Sequence, residues 1–446
     1  MIPATHERLT KNHRFVAGDL NPPILTVVGG VQPECPESLG RPVYELLFSE
    51  FLKETPQLSL RRIPLLEIHE VDLDSALLEE AFRLAHVGVV LDAENLDIHA
   101  DEDSVLIVDR GSASPPDMDL QLGLFPDDTP VATGAPVGPA PVPDSLRRVA
   151  EGLSRSVRLG TSSWSFPGWD GLVYDRAASQ NRLARHGLGA YAMHPLLRTV
   201  GLDRTYYRSI DEETYRRYAE AVPRDFRFLV KADRLLTSPT DPDRFGARGV
   251  NPHFLDPRRA VEEVLTPMLE GLTSKVGPIL FQFPPIPPNL IGGVRRFHDR
   301  LYRFLDALPD GPTYAVELRT PEFLNDEYAT LLQATGAAHC YTVHPAMAPL
   351  EKQKEVVSPF YQPTLVIRWM LRAGLKYQVA KERYQPFDRI VDEDPTSRDA
   401  IARTVLDALI AERQVFVIAN NKAEGSAPLS LFRLAERVTH WTTDAP

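Results

Sequence analysis

The chain has 446 residues, 43% of them hydrophobic and 25% charged, with a net charge of −12. That length suits one large domain plus further material, and the composition is that of a globular protein with no apolar run long enough to span a membrane, so no membrane partner is expected. Residues 1–15 lack the apolar stretch of a signal peptide, and the two cysteines, Cys35 and Cys340, exclude a disulfide framework and a cysteine-based zinc site; together they point to the reducing cytoplasm.

The charge is unevenly spread. Residues 1–150 hold 25 acidic and 11 basic side chains, whereas residues 151–446 hold 36 and 38. The excess acidity lies in the first third. A near-neutral remainder can still carry a basic pocket, so the overall charge neither favours nor excludes nucleic acid.

Residues 1–110 form an N-terminal extension. Strand-like runs fall at Pro23–Val28, Val87–Leu91 and Ser104–Val108, and helical spacing at Pro42–Lys53 and Ser75–Ala85. This is either a small α/β unit or a set of elements draped over the C-terminal domain, and it carries no chemical motif. Residues 111–150 are expected to be an acidic, proline-rich linker, since the prolines of 130–143 remove donors and fix φ. From residue 151 onward, eight β-rich runs alternate with helical segments. The runs are Val157–Trp164, Thr199–Thr205, Arg227–Ala232, Gly277–Pro284, Thr313–Arg319, Ala337–Val343, Thr364–Met370 and Gln414–Asn421. Helices are expected at Glu212–Val222, Asp256–Gly271, Val294–Leu308, Asn325–Gly336 and Arg398–Arg413. This alternation requires an α/β fold, a (β/α)8 TIM barrel over 151–446 with its working site at the C-terminal strand ends. The rival, an open doubly wound sheet, would usually carry a glycine-rich phosphate turn after its first strand, and the GTSSWSFPGW segment at 160–169 has none.

The strand ends carry a set of motifs. They are Gly160-Thr161-Ser162-Ser163-Trp164-Ser165 with Trp169 and Tyr174, Thr205-Tyr206-Tyr207-Arg208, Val230-Lys231-Ala232, Leu280-Phe281-Gln282-Phe283-Pro284-Pro285, Ala315-Val316-Glu317-Leu318-Arg319, and Ala419-Asn420-Asn421 with Glu424-Gly425 and Ala427-Pro428. This set resembles the YecE-like family of TIM-barrel proteins (domain of unknown function seventy-two) over nearly all of 157–440. The resemblance implies the barrel but names no reaction. Two positions depart from the family pattern. A glutamate usual in the second strand is replaced by Gly201, so its role is lost or passes to Asp203. The Asp-Ser pair usual after the sixth strand is replaced by His344-Pro345.

Residues two apart on a strand face the same way. Thr313, Ala315, Glu317 and Arg319 therefore point into the barrel, and Tyr314, Val316 and Leu318 point out. Charges inside a barrel must pair or meet a ligand, and the plain alternative is a Glu317–Arg319 ion pair plugging the mouth. Lys231, Gln282, Arg368, Asn420 and Asn421 end other strands, giving three cations, one carboxylate and several amides on one rim. Such a set favours an anionic or polyhydroxylated ligand. Glu317 is the candidate general acid or base, and Lys231 the candidate electrostatic stabiliser or Schiff-base nucleophile. Ser162, Trp164, Asp203, Tyr207, Gln282, Arg319, Arg368, Asn420 and Asn421 are the candidate ligand contacts, the aromatics offering flat surfaces to a sugar or base.

No cofactor is implied. Asp203, Asp233, Glu317, His339 and His344 are too sparse for a multinuclear zinc site, although a single weak divalent ion stays open, and His339 reads as a satisfied core histidine. In the linker, Gln121-Leu122-Gly123-Leu124-Phe125 resembles the pentapeptide by which bacterial repair and replication proteins bind the sliding clamp; the alternative is an apolar segment docked on the protein's own barrel. These residues admit three functional classes. They are a pocket for a phosphorylated or sugar-like ligand, nucleic acid in DNA repair included; a metabolic enzyme acting on a small phosphorylated carbohydrate; and a non-catalytic binding module.

Overall fold

A computed structural model describes residues 136–443, except 208 and 241–249, and before them the backbone of seven short strands. The chain divides into two units, Met1–Pro115 and Pro116–Pro446. The first contains β1 (Arg14–Ala17), β2 (Leu25–Val28), β3 (Arg61–Ile63), β4 (Glu67–His69), β5 (Val89–Leu91), β6 (Leu96–Ala100) and β7 (Leu106–Arg110). They form one sheet in the order β1-β2-β5-β7-β6-β4-β3, in which only the β5–β7 pairing is parallel. The expected strands at Pro23–Val28, Val87–Leu91 and Ser104–Val108 coincide with β2, β5 and β7. The expected helices at Pro42–Lys53 and Ser75–Ala85, and the pentapeptide Gln121–Phe125, lie outside the described residues.

In the second unit eight parallel strands close into a barrel. They are β8 (Val157–Thr161), β9 (Leu197–Leu202), β10 (Arg227–Lys231), β11 (Val276–Gln282), β12 (Tyr314–Glu317), β13 (Ala338–Val343), β14 (Thr364–Trp369) and β15 (Gln414–Ala419). All eight fall on the runs expected from sequence. β15 closes the ring by pairing with β8, from Val415 opposite Val157 to Ala419 opposite Thr161. The main helices are α1 (Asp144–Gly152), α2 (Gln180–Ala192), α3 (Glu212–Glu220), α4 (Thr266–Leu272), α5 (Val294–Asp306), α6 (Asp326–Thr335), α7 (Leu350–Val356), α8 (Tyr377–Tyr384), α9 (Pro395–Ile410) and α10 (Ala427–Thr443). Several carry side-chain N-caps. The Asp211, Asn325 and Asp394 carboxyl or amide oxygens accept from Thr214, Tyr328 and Ser397 amides, satisfying donors that have no partner inside the helix.

The end of the proline-rich stretch corrects one expectation. Residues 137–140 are not a free linker, because the Ala140 amide donates to Val173, the Asp175 amide donates to Gly138, and Val137 and Ala140 are buried. Proline removes only its own donor. The residues between prolines still pair, which a composition-based reading overlooks. α1 likewise begins inside the stretch assigned to the linker.

Strand alternation sorts the barrel into two cores. Phe228, Val230, Ile279, Phe281, Tyr314, Val316 and Leu318 belong to the outer core between strands and helices. Leu229, Leu280, Ala315, Ala338, Cys340, Val366 and Ile418 form a separate buried cluster. Two residues beyond members of this cluster come Lys231, Gln282, Glu317, Thr342, Arg368 and Asn420. Side-chain period two therefore lays a polar tier directly above an apolar one.

Glycine matters where β8 runs beside β9. A Cβ at Gly160 would sit 2.0 Å from the Thr199 carbonyl oxygen, so β8 and β9 approach as closely as they do only because position 160 has no side chain. Gly160→Ala is expected to lower stability by about 1–3 kcal/mol, the range for an overpacked core. Urea unfolding midpoints measure this, and an unchanged midpoint would disprove the close approach.

Candidate functional site

The polar tier is built around Arg368 on β14. Its Nη1 donates to Glu317 Oε2 at 2.6 Å and to Gln282 Oε1 at 2.9 Å, and its Nη2 donates to Asp203 Oδ2 at 3.0 Å and Oδ1 at 3.3 Å. Gln282 and Glu317 are register partners on neighbouring strands β11 and β12, which is why one guanidinium edge reaches both. Asp203 comes from the turn after β9. The cluster thus spans the barrel mouth, and it holds two carboxylates where the sequence reading counted one. Asp203 stands in the cluster two residues beyond Gly201, and a Cβ at Gly201 would meet Ser162 Cα at 3.3 Å.

Arg319, just beyond β12, lies 2.5 Å through Nη2 from Glu317 Oε1. This contact is ionic without the alignment of a hydrogen bond, for Glu317 Oε1 has no hydrogen-bond partner. Arg319 Nε and Nη1 and Arg368 Nε are likewise buried without one. Lys231 places Nζ 3.6 Å from the ring centre of Tyr206 and 5.8 Å from that of Tyr207, and the two tyrosines meet edge to face. Glu317, Arg368, Lys231, Asp203 and Arg319 are each no more than 8% exposed.

Burial alone would push the Glu317 carboxyl up. The guanidiniums of Arg319 and Arg368 and the ammonium of Lys231 overcome this and hold it at about 2. Arg368 is stabilised as a cation by Glu317 and Asp203 against its own burial. The Glu317 carboxyl is thus held as a carboxylate by the cations around it.

The remaining candidates divide. Asn420 Nδ2 donates to Ser162 Oγ at 2.9 Å, stitching the ends of β15 and β8 together at the barrel seam. Asn421 turns to its own chain: its Oδ1 accepts from the Ala427 amide at the start of α10, so it caps a helix instead of facing the mouth. Trp164 is packed inward. It is buried, its indole N–H donates to the Leu183 carbonyl of α2, and its ring packs edge-on against Tyr218, leaving no face for a ligand. His339 is the core histidine expected, bonded to Tyr328 and Gln353, with burial pushing it down to about 4. Asp233 caps a short turn and meets Arg259 at 3.1 Å. The Ala346 amide donates to His344 Nδ1. Arg208 lies outside the described residues. Among the described residues no group of three or more His, Cys, Asp or Glu is placed to hold a metal ion, and no helix is long and apolar enough to cross a membrane.

Sequence reasoning passed over the support beneath the β15 loop. Glu424 is fully buried and accepts from Arg398 Nη2 at 2.5 Å and from the Asp394 amide at 2.6 Å. The Val391 and Asp392 amides in turn donate to its carbonyl. Lys422 places Nζ 3.9 Å from the ring centre of Tyr377. Glu424 stood among the strand-end motifs, but its partners lie far away in sequence on another connection.

A family profile described as "Protein of unknown function DUF72" matches residues 158–446. Among solved structures, a DUF72 family protein from Thermotoga maritima MSB8 is 19% identical with a TM-score of 0.44, covering 63% of this chain and 98% of its own. A DUF72 family protein from Enterococcus faecalis V583 is 18% identical with a TM-score of 0.44, covering 63% and 95%. No curated protein matches.

Because the folded Glu317 carboxyl is depressed from 4.5 to about 2, its ion pairs stabilise the protein fully above pH 4.5 and are lost as the pH falls through 2. Glu317→Gln is expected to cost about 3–5 kcal/mol at pH 7, as for one partner removed from a buried pair. The gap to wild type should narrow as the pH falls from 4.5 towards 2. Denaturant midpoints across that range measure it, and a gap independent of pH would refute the assignment.

Proposed function

The chain belongs to the DUF72 family, and on that premise we propose that the mouth of its barrel is a preorganised pocket for a phosphate- or sugar-containing ligand. The observation that carries this reading is the set of donors left over after the ion pairs are formed. Arg319 and Arg368 converge on Glu317 and Asp203, and Arg319 Nε and Nη1 and Arg368 Nε are still buried without a hydrogen-bond partner. Buried donors without partners are unfavourable until an acceptor arrives, and a phosphate offers several acceptor oxygens to such guanidinium donors.

The same geometry favours binding over acid–base chemistry. Glu317 serves to hold Arg319 and Arg368 in place, and a carboxylate that stays ionised cannot pass protons efficiently. The sugar-phosphate of nucleic acid is one form of such a ligand. The pentapeptide Gln121-Leu122-Gly123-Leu124-Phe125 supports that form, since it would recruit the chain to a sliding clamp on DNA. A labelled peptide covering it should bind a purified bacterial clamp, and a Leu124→Ala/Phe125→Ala peptide should not; equal binding would dismiss the recruitment.

For the pocket itself, ribose 5-phosphate should raise the melting temperature of the full chain. Arg319→Ala should weaken its binding by about tenfold or more, the effect of removing a charged hydrogen-bond donor, and Lys231→Ala should act in the same direction. Unchanged affinity in both variants, by calorimetry, would end the reading.

A further inference from the structure

The opposite end of the barrel carries a second concentration of charge. A cavity of roughly 550 Å³ opens at the N-terminal strand ends, lined by Arg158 of β8, Arg227 of β10 and the hydroxyl-bearing Thr273, Ser274, Thr313 and Thr364. Among the described residues no acidic side chain lines it. Neither arginine is in an ion pair with a carboxylate among the described residues. Arg158 Nη1 donates at 2.5 Å to Gln414 Oε1, and its guanidinium carbon lies 5.5 Å from the Phe416 ring centre. Arg227 Nη1 donates to the carbonyls of Arg224 and Phe226. Both guanidiniums are thus aimed by neutral acceptors, and the carboxylate that acts on Arg158, Asp225, does so without a direct ion pair.

The surroundings add to this excess. Arg155, Arg198 and Lys275 act on the same region, and the carboxylate acting on them is Asp225, which Arg155 approaches at 3.8 Å. Arg198 Nε is buried without a hydrogen-bond partner. Burial first, then the like charges of Arg227 and Arg198, makes Arg158 easier to deprotonate than a free arginine; burial, then Arg227, does the same to Lys275. The fold maintains this repulsion although a barrel floor is ordinarily a place for stabilising contacts. Thr273, in the cavity wall, also holds a positive φ of 51°, which a β-branched residue rarely adopts.

We propose that this cavity is a second ligand site, distinct from the mouth, which binds a small molecule through a phosphate group. Two guanidinium forks match the several oxygens of one phosphate, and the surrounding hydroxyls can donate to them. Phe416, Leu269 and Val276 line the same cavity and give an apolar wall to the organic part of the ligand. The volume lies in the range of small-molecule sites.

Adenosine monophosphate is the probe, with adenosine as the control that lacks phosphate. By calorimetry on the full chain, adenosine monophosphate should bind and adenosine should not. Arg158→Ala/Arg227→Ala should weaken binding by about tenfold or more. Because the mouth would also take a sugar phosphate, each measurement is repeated in the Arg319→Ala background, where adenosine monophosphate should still bind and the floor substitutions should still weaken its binding. Thr313→Glu, which sets a negative charge into the cavity wall without removing either arginine, should weaken it as well, so a folding defect in the double variant would not decide the matter. Equal affinity with and without Thr313→Glu in that background, equal binding of adenosine, or loss of all binding in Arg319→Ala alone would overturn the proposal.

Discussion

The Arg368 guanidinium, buried between Glu317 and Asp203, is the contact on which the mouth of the barrel depends. It joins three connections of the chain that are far apart in sequence, the ends of β9, β12 and β14, and a fourth through Gln282 on β11. A buried arginine is tolerable only with its charge compensated and its donors met. Two carboxylates satisfy that need, and one of them, Glu317, is in turn shared with Arg319. Removing any member would leave an uncompensated charge in a region almost closed to water. The arrangement therefore fixes the position of Arg319 through Glu317, while Lys231 rests against the Tyr206 and Tyr207 rings.

The tier below explains why this polar cluster can exist at the end of a hydrophobic barrel. Leu229, Leu280, Ala315, Cys340, Val366 and Ile418 fill the interior with apolar side chains, and each is followed two residues later by a polar one. The apolar tier seals the barrel from below and keeps the dielectric low around the ion pairs, which strengthens them. The close approach of β8 and β9 at Gly160 lies two residues before Ser162, which meets Asn420 across the β8–β15 seam.

The two ends of the barrel handle charge differently. At the mouth, Arg319 and Arg368 are matched by Glu317 and Asp203. At the floor, arginines are held by a glutamine side chain and by backbone carbonyls, and positive charge accumulates around Asp225. Matched charge preorganises a site, whereas unmatched charge attracts an anion and gains most when the anion arrives.

Much of the fold was legible in the residues because strand period and alternation are local properties. The eight runs beginning at Val157, and the inward set Ala315, Glu317, Arg319, are fixed by side-chain parity alone. The identity of most mouth residues was legible for the same reason: a polar residue two positions past an interior apolar one must point into the barrel. What parity cannot supply is the partner. Nothing local distinguishes Asn420, which faces the seam, from Asn421, which caps α10, or tells that the Trp164 indole is claimed by Leu183. The low proton affinity of Glu317 depends on Arg319, Arg368 and Lys231, and two of these come from other strands. The sequence thus determined the barrel, its inward faces and the chemical types gathered at its mouth, because these depend on neighbours along the chain. Only the tertiary structure decided which charges cancel, which donors remain unmet and where positive charge collects on the floor, because those depend on distances across the barrel between residues separated by up to hundreds of positions.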